Sequence, residues 1–135
     1  MKLVIDTNVL LVSISSKSKY HWLFQSLLNG DFIICITHDI LTEYEEIISK
    51  HMGLSASNGL LGLFDNLSNV EFLKTYYQFN LIVNDPDDNK FVDCTIAGSA
   101  DYLVSNDNHF KVLKKIEFPK IEVLNIQQLK ELLNK

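Results

Sequence analysis

The sequence predicts an α/β fold: one three-layer domain spanning residues 1–135, with a central, mostly parallel sheet and helices on both faces. Three observations predict it. Apolar runs of strand length alternate with stretches of helical periodicity along the chain, the order that a parallel sheet with crossover helices requires. The runs at 2–5 and 32–36 are aliphatic and β-branched throughout, and so read as buried strands. The chain has 135 residues, the size of one ordinary domain.

Lys2 to Ile5 is the first strand, and it ends at Asp6. Residues 7–16 begin apolar and turn polar, which suits a short helix or turn. Tyr20 to Leu28 has helical spacing and stops at Asn29-Gly30, a C-terminal helix signal. Phe32 to Ile36 is the second strand, and Thr37 is placed to cap a helix running to about Met52. Residues 53–67 carry three glycines among short apolar pieces and predict a poor helix. Val70–Leu73 and Leu81–Val83 are expected to be extended. Asn84–Asp88 reads as a loop and Asn89–Ser99 as a helix. Tyr102–Val104 is a further strand, Asn108–Ile116 a lysine-rich helix, Ile121–Leu124 a strand and Ile126–Leu133 a final amphipathic helix. No internal repeat, low-complexity segment or linker interrupts this order.

A hydrophobic fraction of 47% with 21% charged residues is globular composition, with enough apolar material for one core. No apolar run approaches the roughly 18–20 residues of a membrane span. An acid at position 6 interrupts what would be the hydrophobic part of a signal peptide, so a cytoplasmic location is expected. Cys35 and Cys94 each sit in an apolar stretch and read as buried thiols. Neither has a partner at zinc-ligand spacing. The net charge is −5, and all 12 basic residues are lysine. Overall acidity counts against tight binding to nucleic acid, as does the lack of arginine, the better bidentate phosphate ligand. Neither excludes an enzyme whose own metal site supplies much of the negative charge.

An open parallel sheet presents ligand sites beyond the carboxyl ends of its strands, so the polar residues expected there matter most. Asp6 ends the first strand and Asp107 follows the Tyr102–Val104 strand. Glu43 lies in the helix leaving the second strand, Asp88 opens the helix before Tyr102, and Asp93 lies further into that helix. Each has an ordinary explanation. Asp6 could brace a turn, Asp88 and Asp107 could cap helices, and Glu43 could be solvated. Glu43 lies roughly 100° from the centre of the apolar stripe of its helix. Glu45 lies about as far off on the other flank, so periodicity does not choose between them. Asp93, among Phe91, Val92 and Cys94, is harder to explain away, because a carboxylate on a packed face is costly. Together, carboxylates at neighbouring strand ends would repel one another and call for a counter-charge. Hard oxygen ligands suit Mg2+ or Mn2+, and such a site can activate water against a phosphodiester.

At these residues the chain resembles the PIN-domain family, in particular its bacterial branch of VapC-like toxins from toxin–antitoxin pairs. The opening Val-Ile-Asp-Thr-Asn-Val-Leu-Leu is similar to the family's first motif, a strand ending in Asp-Thr-Asn. Asp6 would then be the first metal ligand, with Asn8 as a supporting polar residue and Thr7 orienting the turn. Thr37 to Glu43 matches S/T-x-x-[I/L]-L-x-E, which makes Glu43 the second acid. The most specific stretch runs from Asp85 to Asp107, D-P-D-D-N-K-F-V-D-C-T-I-A-G-S-A-D-Y-L-V-S-N-D. The resemblance makes Asp88 the third acid and Asp107 the fourth, with Ser105 as the neighbouring hydroxyl. Asp93 holds another acidic position of the same motif, and spacing does not decide whether it or Asp88 is the closer ligand. The motifs cover 6–107 in order; residues 53–77 carry none. Asn106 departs from the glycine common in the branch.

The resemblance implies Mg2+- or Mn2+-dependent cleavage of single-stranded RNA by Asp6, Glu43, Asp88 and Asp107. It also implies a small antitoxin protein as a partner and a homodimer, with no membrane involvement. Lys17, Lys19 and Lys90 are candidate guides for the phosphate backbone, Lys90 foremost because it sits beside Asp88. The four histidines are scattered over unrelated elements, and no serine or cysteine stands at a recognisable triad spacing to one of them. Gly98 stands alone, so no phosphate-binding loop is present. Tyr20, Trp22 and Phe24 alternate tightly enough to suggest a stacking platform, but packing into the core or a dimer interface is the better reading. Two rival functions remain. A haloacid-dehalogenase-type phosphatase needs an aspartate where this chain has Asn8. An inactive PIN-like module binding RNA or protein would not need the full set of acids.

Overall fold

The computed structural model describes residues 1–75, 77–82 and 86–135. Five parallel strands form one sheet in the order β3-β2-β1-β4-β5. They are β1 (Lys2–Ile5), β2 (Ile33–Thr37), β3 (Val70–Leu73), β4 (Tyr102–Val104) and β5 (Val123–Leu124). Between them run α1 (Thr7–Ile14), α2 (His21–Asn29), α3 (His38–Met52), α4 (Leu54–Asn66) and α5 (Asn89–Ala97), and α6 (Ile126–Leu132) closes the chain. Successive strand residues point to opposite faces, yet Leu3, Val4 and Ile5 are all 0% exposed, as are Ile34, Cys35 and Ile36. Both faces of the sheet's centre are therefore covered, and the expected three-layer arrangement is present.

The local signals act largely as expected. Thr37 caps α3, its hydroxyl accepting the Ile40 N–H. Ile40, Tyr44 and Ile48 form the fully buried stripe of α3, with Leu41 and Ile47 half-buried beside it. Gly30 ends α2 in the left-handed conformation that favours glycine. The low helix propensity that three glycines give residues 53–67 is outweighed by packing: α4 forms, burying Leu60 and Phe64. Asn125 and Gln128 make a reciprocal capping box at the start of α6. Cys35 and Cys94 are free and buried. Gly98 serves packing: a Cβ there would lie 2.6 Å from Leu73 Cδ1 and 3.3 Å from Cys35 Sγ. Its absence lets the end of α5 close onto the sheet. Among the described residues, no helix is long and apolar enough to cross a membrane.

Four elements differ from the sequence reading. Leu81 and Ile82 form no strand, and Val83 lies outside the described residues, as do Asn84 and Asp85 of the expected loop. The side-chain amide of Asn89 accepts the Ile82 N–H and donates to the Ile82 carbonyl, both at 2.9 Å. One buried side chain thus replaces a strand neighbour, which periodicity cannot register. Pro86–Asp88 is a short 3-10 turn rather than plain loop. Asn108–Lys115 is a 3-10 helix, not an α-helix; Phe110, Leu113 and Ile116 recur every third residue, which aligns them on one side at three residues per turn. The last strand is shorter than expected, Val123–Leu124.

Tyr44 fastens α3 to the carboxyl end of β1, its hydroxyl donating to the Ile5 carbonyl from a fully buried position. Tyr44→Phe removes that donor while keeping the ring, and is expected to lower stability by about 1–2 kcal/mol. Urea denaturation checks this, with an unchanged far-UV spectrum as the sign that the fold persists.

Candidate metal centre

The chain order reverses at β1: β2 and β3 extend to one side, β4 and β5 to the other. In such sheets the crevice for ligands opens at the strand ends where the order switches, here between β1 and β4. Asp6 follows β1, with its N–H donating to the Val104 carbonyl at 3.0 Å. Ser105 follows β4 and donates its hydroxyl to Asp6 Oδ2 at 2.8 Å, while accepting the Asp107 N–H at 2.9 Å. Asp6, Ser105 and Asp107 are thus a hydrogen-bonded unit across the switch point. Ser105 is buried, and Asp107 is half-exposed at the mouth.

Asp88 immediately precedes α5 but makes no side-chain capping bond there. Its Oδ2 lies 3.1 Å from His109 Nδ1, and Asp107 Oδ1 lies 3.3 Å from the same nitrogen. Ligand atoms of Asp88, Asp107 and His109 all fall within 4.8 Å of one another, a spacing that one metal ion could span. Asp107 does cap the following 3-10 helix, accepting the His109 N–H at 2.8 Å. Capping and membership of the cluster, opposed in the sequence reading, therefore coexist in one carboxylate.

Asp6 and Glu43 are outside that 4.8 Å group; Glu43 is linked to Thr7, the residue after Asp6, whose hydroxyl donates to Glu43 Oε2. Lys90 holds the other oxygen, with Nζ 2.8 Å from Glu43 Oε1. Glu45, which the helical wheel did not separate from Glu43, is exposed, whereas Glu43 is half-buried. Asn8 is exposed and lines the cleft containing Asp6 and Asp107. Asp93 stands apart from the Asp88–Asp107–His109 group. It is buried, its Oδ1 accepts the Phe79 N–H at 3.2 Å, and it lines a neighbouring cleft with Glu43 and Lys90. His38 is exposed and Lys17 lies out on the surface. His109 is the residue that sequence reasoning passed over; its place two residues after an expected metal acid was the available signal. Asn106, the departure from the branch's glycine, accepts the Ile126 N–H at 3.1 Å and ties this loop to α6.

The electrostatics fit a cation. Burial pushes the Asp6 carboxyl up to about 6, with the like charges of Asp88 and Asp107 adding to the rise and the Ser105 hydrogen bond opposing it. Burial also raises Asp93, against the Phe79 N–H. An acid in that state is relieved either by a proton or by a positive ion. The donor set, carboxylate oxygens with one imidazole, suits Mg2+ or, with nitrogen included, Mn2+.

Residues 2–109 match the family model of the PIN domain, and the chain belongs to that family. Its fold is that of several solved relatives. VapBC2 from Rickettsia felis, bound to a promoter DNA fragment, aligns over 93% of this chain and 98% of that one, with a TM-score of 0.63 and 22% identity. DNA-bound VapBC from Salmonella typhimurium aligns over the same shares, 93% and 98%, with a TM-score of 0.57 and 19% identity. Mycobacterium tuberculosis VapC20, a sarcin–ricin loop cleaving toxin, aligns over 81% of this chain and 92% of its own, with a TM-score of 0.60 and 9% identity. No curated protein matches the chain.

The raised Asp6 carboxyl has a consequence for stability. Between the ordinary value of 3.8 and about 6 the folded chain holds a proton that the unfolded chain has lost. Its contribution is therefore full below about pH 4 and disappears as pH rises through 6. Without divalent ions, Asp6→Asn should raise the melting temperature at pH 7.5 and flatten its fall between pH 4 and 7. Thermal melts of both proteins in EDTA measure this; identical pH profiles would overturn it.

Proposed function

We propose that this chain is a divalent-metal-dependent endoribonuclease that cuts single-stranded RNA, acting as the toxin of a toxin–antitoxin pair. Asp6, Asp88 and Asp107, with Glu43, hold one or two Mg2+ or Mn2+ ions, and Asp93 is a more distant acid on the Glu43 side. The single observation that carries the reading is the Asp6–Ser105–Asp107 unit at the switch point, with Asp88 and His109 against it. Three carboxylates gathered there, one of them buried, repel one another unless a cation lies between them. When bound, the ion supplies positive charge against the phosphodiester in its transition state and makes water a better nucleophile.

The chain's own residues have defined tasks. Ser105 fixes the orientation of Asp6 and the backbone of Asp107 together. Thr7 and Lys90 hold Glu43 from two sides. The Lys90 ammonium has further N–H donors, so it can keep Glu43 in place and also meet a phosphate oxygen. Asn8, at the rim with Asp6, is positioned to hydrogen-bond the substrate. The solved relatives in complex with DNA support a cognate antitoxin as partner, and by the same likeness a homodimer and a cytoplasmic site of action are expected.

Cleavage of a mixed-sequence single-stranded RNA should depend on Mn2+ or Mg2+ and cease with EDTA. Asp6→Asn and Asp107→Asn should each reduce it by at least about a hundredfold, as loss of a charged ligand at the reacting centre implies. Millimolar Mn2+ should also raise the wild-type melting temperature and do so much less in Asp6→Asn. A protein that neither cuts RNA nor is stabilised by Mn2+ would instead be a binding module, and the enzyme reading would fall.

A further inference from the structure

The acid cluster has two flanks of opposite charge. On one side, a cleft carries Asp39, Glu43, Glu46, Asp87 and Asp93 against Lys90. On the other, a groove of about 590 Å³ is lined by Lys19, Lys111, Lys114 and Lys130, with Asp107 as its one acidic wall residue. Tyr20 and Trp22 line the same groove. Tyr20, Asn106 and Asp107 also line the small cleft that holds Asp6, so groove and acid cluster are continuous. Among the described residues no carboxylate pairs with these four lysines, and Lys19 Nζ lies over the Tyr20 ring at 5.1 Å from its centroid.

We infer that single-stranded RNA leaves the metal centre along this lysine groove, between the 3-10 helix and α6, with Tyr20 and Trp22 as the platform for its bases. This deepens the nuclease reading and rests on it. A polyanion crossing the cluster meets repulsion on the Glu43 side and unpaired ammonium groups on the α6 side, so the field sets its direction. Ammonium groups tracking a backbone beside aromatic faces form the usual binding surface for single strands. The net charge of −5 does not oppose this: the chain is acidic overall, but four of its 12 lysines line the groove where the substrate passes. Lys90, by contrast, lies in the acidic cleft on the Glu43 side and is not part of the groove.

The test is binding of a fluorescein-labelled, mixed-sequence single-stranded RNA in EDTA, read by anisotropy across a potassium chloride series. Trp22 is the chain's one tryptophan, so RNA should quench the intrinsic emission. The triple variant Lys111→Gln, Lys114→Gln, Lys130→Gln should bind about tenfold more weakly at low salt. Its log K against log[salt] slope should be shallower by about 2, three lost contacts at roughly 0.7 each. The corresponding triple arginine variant should keep the wild-type slope, and Lys50→Gln on α3 should change nothing. Melting curves verify that the variants are folded. An unchanged slope in the glutamine variant, or no RNA binding by the wild type in EDTA, overturns the track; Mn2+-dependent cleavage, assayed in parallel, then decides the nuclease reading separately. If the glutamine variant keeps wild-type RNA affinity and salt slope but no longer binds poly-glutamate, the groove is a protein-docking site and the inference is overturned.

Discussion

Like-charge repulsion beyond the centre of the sheet is the constraint around which this molecule is built. Asp6 is buried against Ser105 with Asp88 and Asp107 close enough to raise its carboxyl. Placing acids there costs folding free energy, because each charge loses hydration and faces others of its own sign. The neighbourhood is arranged to tolerate this without removing it. Ser105 and backbone N–H groups supply hydrogen bonds, Lys90 and Thr7 engage Glu43, and the His109 imidazole sits between two carboxylates. What is left uncompensated is the capacity to take up a cation. The site is thus a local departure from the consistency that governs the rest of the chain.

The remainder of the fold holds that departure in place. Strand β1 is paired on both sides and fully buried, so Asp6 emerges from the most constrained part of the sheet. Tyr44 ties α3 to the carbonyl of Ile5, one residue before Asp6, which couples the helix carrying Glu43 to the strand carrying the first acid. Asn106 and the Asn125–Gln128 capping box fix the α6 side. Gly98 allows the end of α5 to close on the sheet, setting the helix that follows Asp88. Each acid therefore arrives on a different rigid element, and the precision of the cluster is inherited from the packing between those elements.

Charge segregation extends this logic outward. Acids accumulate around the Glu43 cleft and lysines around the α6 groove, with the Asp6–Asp107 acids at the boundary. An acidic protein can present a cationic surface because screening in salt water limits each charge to about a Debye length, roughly 8–10 Å. Net charge consequently says little about what one face of a domain meets.

Much of this was legible in the sequence. The strand at 2–5, the cap at Thr37, the stripe of α3 and the α/β architecture follow from local periodicity and capping chemistry, which act over a few residues. The motif resemblance singled out Asp6, Glu43, Asp88 and Asp107 without any knowledge of their positions in space. The tertiary structure decided the rest. That Asn89 replaces a strand partner for Ile82, that His109 lies between Asp88 and Asp107, that Glu43 rather than Glu45 faces inward and that four lysines from three segments share a groove are all contacts between residues distant along the chain or on separate elements. The physical reason is range: periodicity reports which face of an element is apolar, whereas a site is made where faces of several elements meet, and only packing brings them there.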